Sequence, residues 1–275
     1  MTTAQTPERV PDRVPERLLA ANTATAEAIG RLLREGADPR ARIPGARWSV
    51  GEAAAHLAMA NRLMAQIAAG ADRPYGDGTP GGLAAANEES LLAYPERDPA
   101  VLAEVIEEQA AAFAAAVAGR DAAEPVTTPM GPMDLGTFGS YLLVHQLGHG
   151  YDLARALRRP HMVDRERVEL SVPFLLTAIP RVVDPRTTAG LRARFTIVLR
   201  GGGPRFGVTL ADGVARVSER PLPRPDCGIH CEPVAFLLLA LGRMTPAQAM
   251  LRGRTLAWGR RPWLAPSFPR FFRAP

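Results

Sequence analysis

The sequence predicts a helical bundle over residues 1–160 followed by an α+β domain over residues 161–275. Three observations carry this. Apolar residues recur with helical period through the first 158 positions, between recognisable caps and glycine stops. Beyond Arg158-Arg159-Pro160 the pattern changes, and Leu191–Leu199 alternates with the period of two of a strand. Lastly, His145 and His149 stand four residues apart on a predicted helix, where side chains stack on one face.

The first helix runs from about Pro15 to Arg34 and stops at Gly36. The second opens at Ser49-Val50-Gly51-Glu52, a capping box in which serine and glutamate satisfy each other's backbone donors, and ends before Gly70. Its apolar face is Ala53, Ala60, Leu63 and Ile67, with His56 on that face and Asn61 and Arg62 opposite, towards solvent. Pro74 to Gly82 reads as a loop and Leu83 to Ala93 as a short helix. Asp98-Pro99 opens the next long helix as cap and first-turn proline, and Gly119 closes it. Leu102, Val105, Phe113 and Ala116 form its inward face, with Gln109 an unexpected polar member. The last long helix spans roughly Leu135 to Leu157, with Phe138, Leu142, His145, His149, Asp152 and Ala156 along one stripe. Four long helices, two of them carrying histidines on their inward stripes, make a bundle with a site in its interior.

In the second half, a helix near Arg167 to Ile179 precedes the strand Leu191–Leu199. Phe206 to Leu210 pairs with that strand, and Asp212-Gly213 turns the chain into Val214 to Val217. Cys227 to Cys231 is a further strand, Glu232-Pro233 starts an apolar helix through Leu241, and Thr245-Pro246 caps a short one. Thr255 to Gly259 is a short strand, and Pro262 to Phe272 a final helix.

The composition excludes several classes. The net charge of +5 rests entirely on arginine, because the 33 basic residues include no lysine. Those arginines are scattered among carboxylates, which fits a high-GC genome better than a nucleic-acid surface. The two cysteines cannot make a disulfide framework, and Met1 to Pro15 is polar and punctuated by proline, unlike a signal peptide. The apolar runs near Ala110–Ala118 and Phe236–Leu241 are too short for a bilayer. A cytoplasmic protein without nucleic-acid or membrane partners is expected, as a monomer or homodimer.

Three buried imidazoles would be costly without a shared partner, and a divalent metal is the simplest one. His56, His145 and His149 are the expected ligands, leaving open positions as catalytic metal sites do. Three other features carry less. His145-Gln146-Leu147-Gly148-His149 matches the zinc-protease motif, but glutamine replaces its glutamate base. In Cys227-Gly228-Ile229-His230-Cys231 the cysteines share one strand face and His230 takes the other. Gly201-Gly202-Gly203-Pro204 lacks a phosphate loop's lysine and reads as a hairpin turn.

Trp48-Ser-Val-Gly-Glu-Ala-Ala-Ala-His-Leu57 resembles the first motif of the DinB-like metal-binding bundles. His149-Gly-Tyr-Asp-Leu-Ala-Arg-Ala-Leu157 resembles the second motif of their mycothiol-dependent maleylpyruvate isomerase branch. The second half, with Gly242-Arg-Met-Thr-Pro-Ala-Gln-Ala-Met250 and Arg252-Gly-Arg-Thr-Leu-Ala-Trp-Gly259, is similar to the sterol-carrier-like domain which that branch carries. The resemblance implies a DinB-like four-helix bundle plus a sterol-carrier-like domain, a divalent metal with zinc the expected ion, and mycothiol as co-substrate. The activity it implies is cis–trans isomerisation or thiol S-transfer on a small electrophile. In the isomerase proper the residue four before the second-motif histidine is a glutamate ligand; His145 replaces it here, which points away from maleylpyruvate itself.

Four polar residues are candidates around the ion. Asp152 could orient a ligating imidazole or form a salt bridge with an arginine such as Arg155, and Arg243, Arg252 and Arg254 could hold a substrate carboxylate. Gln109 and Tyr141 could line the cavity, with Trp48 a packing anchor. Two rival readings stand beside this one: a non-catalytic carrier of an apolar ligand, and a metal-dependent hydrolase.

Overall fold

The computed structural model describes residues 12–77 and 80–273. The polar opening, residues 1–11, and residues 78–79 of the expected Pro/Gly-rich loop lie outside the described residues.

The N-terminal part is helical: α1 (Glu16–Arg34), α2 (Val50–Ala68), α3 (Pro80–Ala93), α4 (Pro99–Val117) and α5 (Leu135–Ala156). Each start that positions the site is locally encoded. At α2, Ser49 accepts from the Glu52 amide while the Glu52 carboxylate takes the Ser49 amide at 2.7 Å. Asp98 caps α4 with Pro99 in its first turn, and Asp134 caps α5 by accepting from Thr137 N at 2.7 Å. Helices α1, α2, α4 and α5 pack together, with α2 between α4 and α5.

Two readings of the bundle need correction. Asn61 does not face solvent: it is fully buried, and its Nδ2 donates to the Ile106 carbonyl of α4 at 3.2 Å. Helix α2 touches α4 on one side and α5 on the other, so its buried surface is wider than one apolar stripe. On α4 the buried residues are Leu102, Ala103, Ile106, Ala110, Phe113 and Val117, while Val105, Gln109 and Ala116 sit at the margin. Between α4 and α5 lies an unforeseen hairpin, β1 (Pro125–Thr128) with β2 (Gly131–Asp134), which pairs Val126 with Met133.

The remainder contains α6 (Arg165–Ala178), the single turn α7 (Pro185–Thr188), β3 (Arg192–Leu199), β4 (Arg205–Ala211), β5 (Val214–Ser218), β6 (Cys227–Cys231), α8 (Pro233–Ala240), α9 (Pro246–Leu251) and β7 (Thr255–Trp258). The strands form one sheet in the order β5-β4-β3-β6-β7, antiparallel except for β3 beside β6. The β4–β5 turn uses positive φ at Asp212 (51°) and Gly213 (83°), the backbone that makes Asp-Gly a hairpin signal. The tail Pro262–Phe271 is helical but 3-10, and Pro266 and Pro269 inside it would interrupt the hydrogen-bond ladder of a continuous α-helix.

Phe195, Leu199, Phe206, Val208 and Leu210 are buried on the inner face of the sheet. The larger hydrophobic cluster runs without a break from Leu18, Phe113 and Phe138 through α6 to these strands and α8. The two parts of the chain therefore share a core, and α5 and α6 sit at their junction. Among the described residues no helix is long and apolar enough to cross a membrane.

Candidate metal centre and its cavity

Two turns into α2, His56 is 5% exposed. His145 and His149 project from successive turns of α5, so the cap at Asp134 and the box at Ser49 set the phase of both helices. The three rings converge. His56 Nε2 lies 3.2 Å from His145 Nε2, and one donor atom from each histidine lies within 4.8 Å of the others. Ring centroids are separated by 5.1, 4.8 and 4.6 Å. Trp48, just before the α2 cap, lies 4.8 Å from the His56 ring and 6.1 Å from that of His149. Tyr141, one turn before His145, stacks on Phe174 at 4.4 Å. Burial raises its hydroxyl above the usual phenol range.

Electrostatics keep these imidazoles neutral. Burial pushes His56 down to about 4, and drives His145 and His149 well below the ordinary histidine value. Each of the α5 pair is lowered further by neighbouring histidines, and His149 also by the Arg243 guanidinium. A neutral imidazole offers a lone pair, the form in which histidine binds a metal. Among the described residues the buried His145 Nδ1 has no hydrogen-bond partner, and that ring's one hydrogen-bond contact is the one between its Nε2 and His56 Nε2. Three neutral nitrogen donors at one point could hold a transition ion and leave positions open.

The other polar candidates separate. Asp152, one turn beyond His149, is taken by Arg243: Nη2 donates to Oδ2 at 2.7 Å and Nε reaches Oδ1 at 3.2 Å. Among the described residues no hydrogen bond links Asp152 to an imidazole, so the ion pair prevails, with Arg243 in the partner role expected of Arg155. Arg243 follows α8, and the pair ties the C-terminal part to the site. Arg254 stands 4.0 Å from Glu232 and Arg252 is exposed; neither lines the cavity, unlike Arg243.

That cavity has a volume of about 690 Å³ and runs from the three histidines to the inner face of the sheet. Tyr141 lines it and Gln109 does not. Several lining residues went unread in the sequence. Tyr75 and Asn87, joined by a 2.8 Å hydrogen bond, belong to the segment around α3, and Arg270 and Arg273 to the 3-10 tail. Only the closing of the tail over the sheet brings these arginines here, and no motif signals that.

Cys231 also lines the cavity, 3.2 Å from Thr255 Oγ1, and Cys227 does not. Both thiols are free, and burial pushes each up to about 11. His230 lies on the opposite strand face, edge-on to Trp258 at 4.3 Å, and Gly201 to Pro204 form the β3–β4 connection, as the sequence indicates.

Residues 19–154 match the family described as the mycothiol maleylpyruvate isomerase N-terminal domain. No curated protein matches the chain. Among solved structures, a histidine-to-alanine mutant of the mycothiol-dependent maleylpyruvate isomerase aligns with a TM-score of 0.50 and 14% identity, over 83% of this chain and 89% of that one. The unmutated isomerase aligns with a TM-score of 0.48 and 14% identity, over 84% and 90%. A stereoselective inverting sec-alkylsulfatase from Pseudomonas sp. aligns with a TM-score of 0.33 and 13% identity. The chain spans 24% of that sulfatase and covers it with 50% of its own length.

Proposed function

Because this chain belongs to the mycothiol maleylpyruvate isomerase family, we propose that it is a metal-dependent, mycothiol-using enzyme, a cis–trans isomerase or thiol S-transferase acting on a small electrophile. The observation that carries this is the convergence of His56, His145 and His149 at the end of a cavity able to admit a ligand. These three residues would hold the ion, with zinc suited to an all-imidazole set. A divalent ion bound there would supply Lewis acidity, lowering the pKa of a thiol that in water is near 8.5.

The chain's own residues do the rest. Trp48 packs against two of the rings, and Tyr141 with Phe174 packs the cavity wall beside His145. Burial holds the cavity's own thiol, Cys231, protonated at neutral pH, which favours a sulfur nucleophile from outside the chain. Addition of that sulfur to an activated double bond, rotation and elimination would return the thiol and the isomerised product; transfer would stop after addition or displacement. Arg243 beside His149 carries positive charge to this end of the cavity, where a substrate carboxylate could lie.

We read residues 1–160 as the DinB-like bundle and 161–275 as the sterol-carrier-like domain, in the cytoplasm, where a reduced thiol co-substrate and unpaired cysteines are compatible. A carrier without chemistry leaves the three converging imidazoles with no role. The test is calorimetric titration of mycothiol into the metal-loaded protein and its His149→Ala variant. Saturable binding by the first alone is expected; no heat from either would overturn the proposal.

A further inference from the structure

We propose that the electrophile carries an extended apolar chain, seated against the inner face of the sheet with its reactive end at the three histidines. This deepens the functional reading above and rests on it. Ile197 of β3, Ile229 of β6 and Ala257 of β7 are direct neighbours across three strands and together floor the far part of the cavity. Phe236 and Leu239 of α8 and Phe268 of the 3-10 tail add to the lining. No charged side chain comes from that floor. The charges that do line the cavity come from other elements: Asp152 and Arg243 form an ion pair beside His149, Arg273 is paired with Asp184 at 3.1 Å, and Arg270 is exposed at the end of the 3-10 helix.

A volume of about 690 Å³ is in the range that takes a drug-sized ligand, roughly 300–1,000 Å³. A compact dicarboxylate would occupy only a part of it, and on this floor its charges would lose water without gaining partners. A hydrocarbon chain gains there instead, by removing apolar surface from water on both sides. The cavity is continuous, so the same ligand can reach the imidazoles and the sheet at once.

The experiment is calorimetric titration of the purified protein with butanoate, hexanoate, octanoate, decanoate and dodecanoate. Affinity should rise about fourfold per added methylene, the equivalent of ~0.8 kcal/mol, until the floor is covered. Ala257→Trp should shorten the chain length at which the rise stops, and Ala240→Phe, which fills the α8 side, serves if the tryptophan variant does not fold. An affinity that does not change with chain length, or a rise that both folded variants leave untouched, overturns the inference. A flat series in a protein that binds mycothiol would sink this inference alone. A steep series in a protein that ignores mycothiol would sink the functional reading on which it rests.

Discussion

Replacing Arg243 with methionine removes the ion pair that joins α5 to the turn after α8 while keeping most of the side-chain volume. In the native protein the Asp152 side chain is 10% exposed and receives the Arg243 fork at 2.7, 3.2 and 3.3 Å. Losing one partner of a buried pair costs about 3–5 kcal/mol. The Arg243 side chain is 31% exposed, so water already screens part of the attraction and can reach the abandoned carboxylate. The expected loss is therefore about 2 kcal/mol. At roughly 2–4 °C per kcal/mol in a protein of this size, the melting temperature should fall by about 4–8 °C. Asp152→Asn in the Arg243→Met background should recover part of the loss, and a double-mutant cycle should give a coupling energy above about 1 kcal/mol. A single variant within about 0.5 kcal/mol of the parent, or additive effects, would show that this pair does not hold the two parts together.

Further outcomes follow from other sites. Asn61→Asp places a carboxyl at a fully buried position beside the Ile106 carbonyl, so its folded-state pKa should rise above the unfolded value of about 3.9. The sign follows: the variant should lose several kcal/mol at pH 7 and regain stability as pH falls towards 4, and a urea midpoint independent of pH would contradict it. Cys227 and Cys231, raised to about 11, should be roughly a thousandth thiolate at pH 8, so iodoacetamide should modify the folded protein far more slowly than the unfolded chain. Mass spectrometry showing equal rates would remove the argument for an external thiol.

The helices that build the centre were legible because their starts are written in short-range chemistry. Ser49 with Glu52 fixes where α2 begins and hence where His56 points, and the four-residue step puts His145 and His149 on one face whatever else the chain does. The Asp-Gly turn likewise gave the β4–β5 hairpin. What was misread depends on packing between distant segments. Asn61 reads as a solvent residue until α4 lies against it. In helices as rich in alanine as α2 and α4, small side chains let several faces be buried, so hydrophobicity alone places the inward stripe a position off. The β1–β2 hairpin has strands of four residues, too short for a period-two pattern to emerge between Pro125 and Pro132. Asp152 and Arg243 are 91 residues apart, and nothing local distinguishes Arg243 from Arg252 or Arg254 until the sheet is built. Arg270 and Arg273 reach the cavity only because the 3-10 tail folds back over the strands.

If His56, His145 and His149 hold one ion, elemental analysis of the purified protein will find it. The parent should carry about one divalent transition ion per chain, and His56→Ala, His145→Ala and His149→Ala should each lose it while remaining folded. A parent that cannot be loaded with zinc or cobalt, or three alanine variants that bind the ion as tightly as the parent, would mean that these imidazoles are not a metal centre.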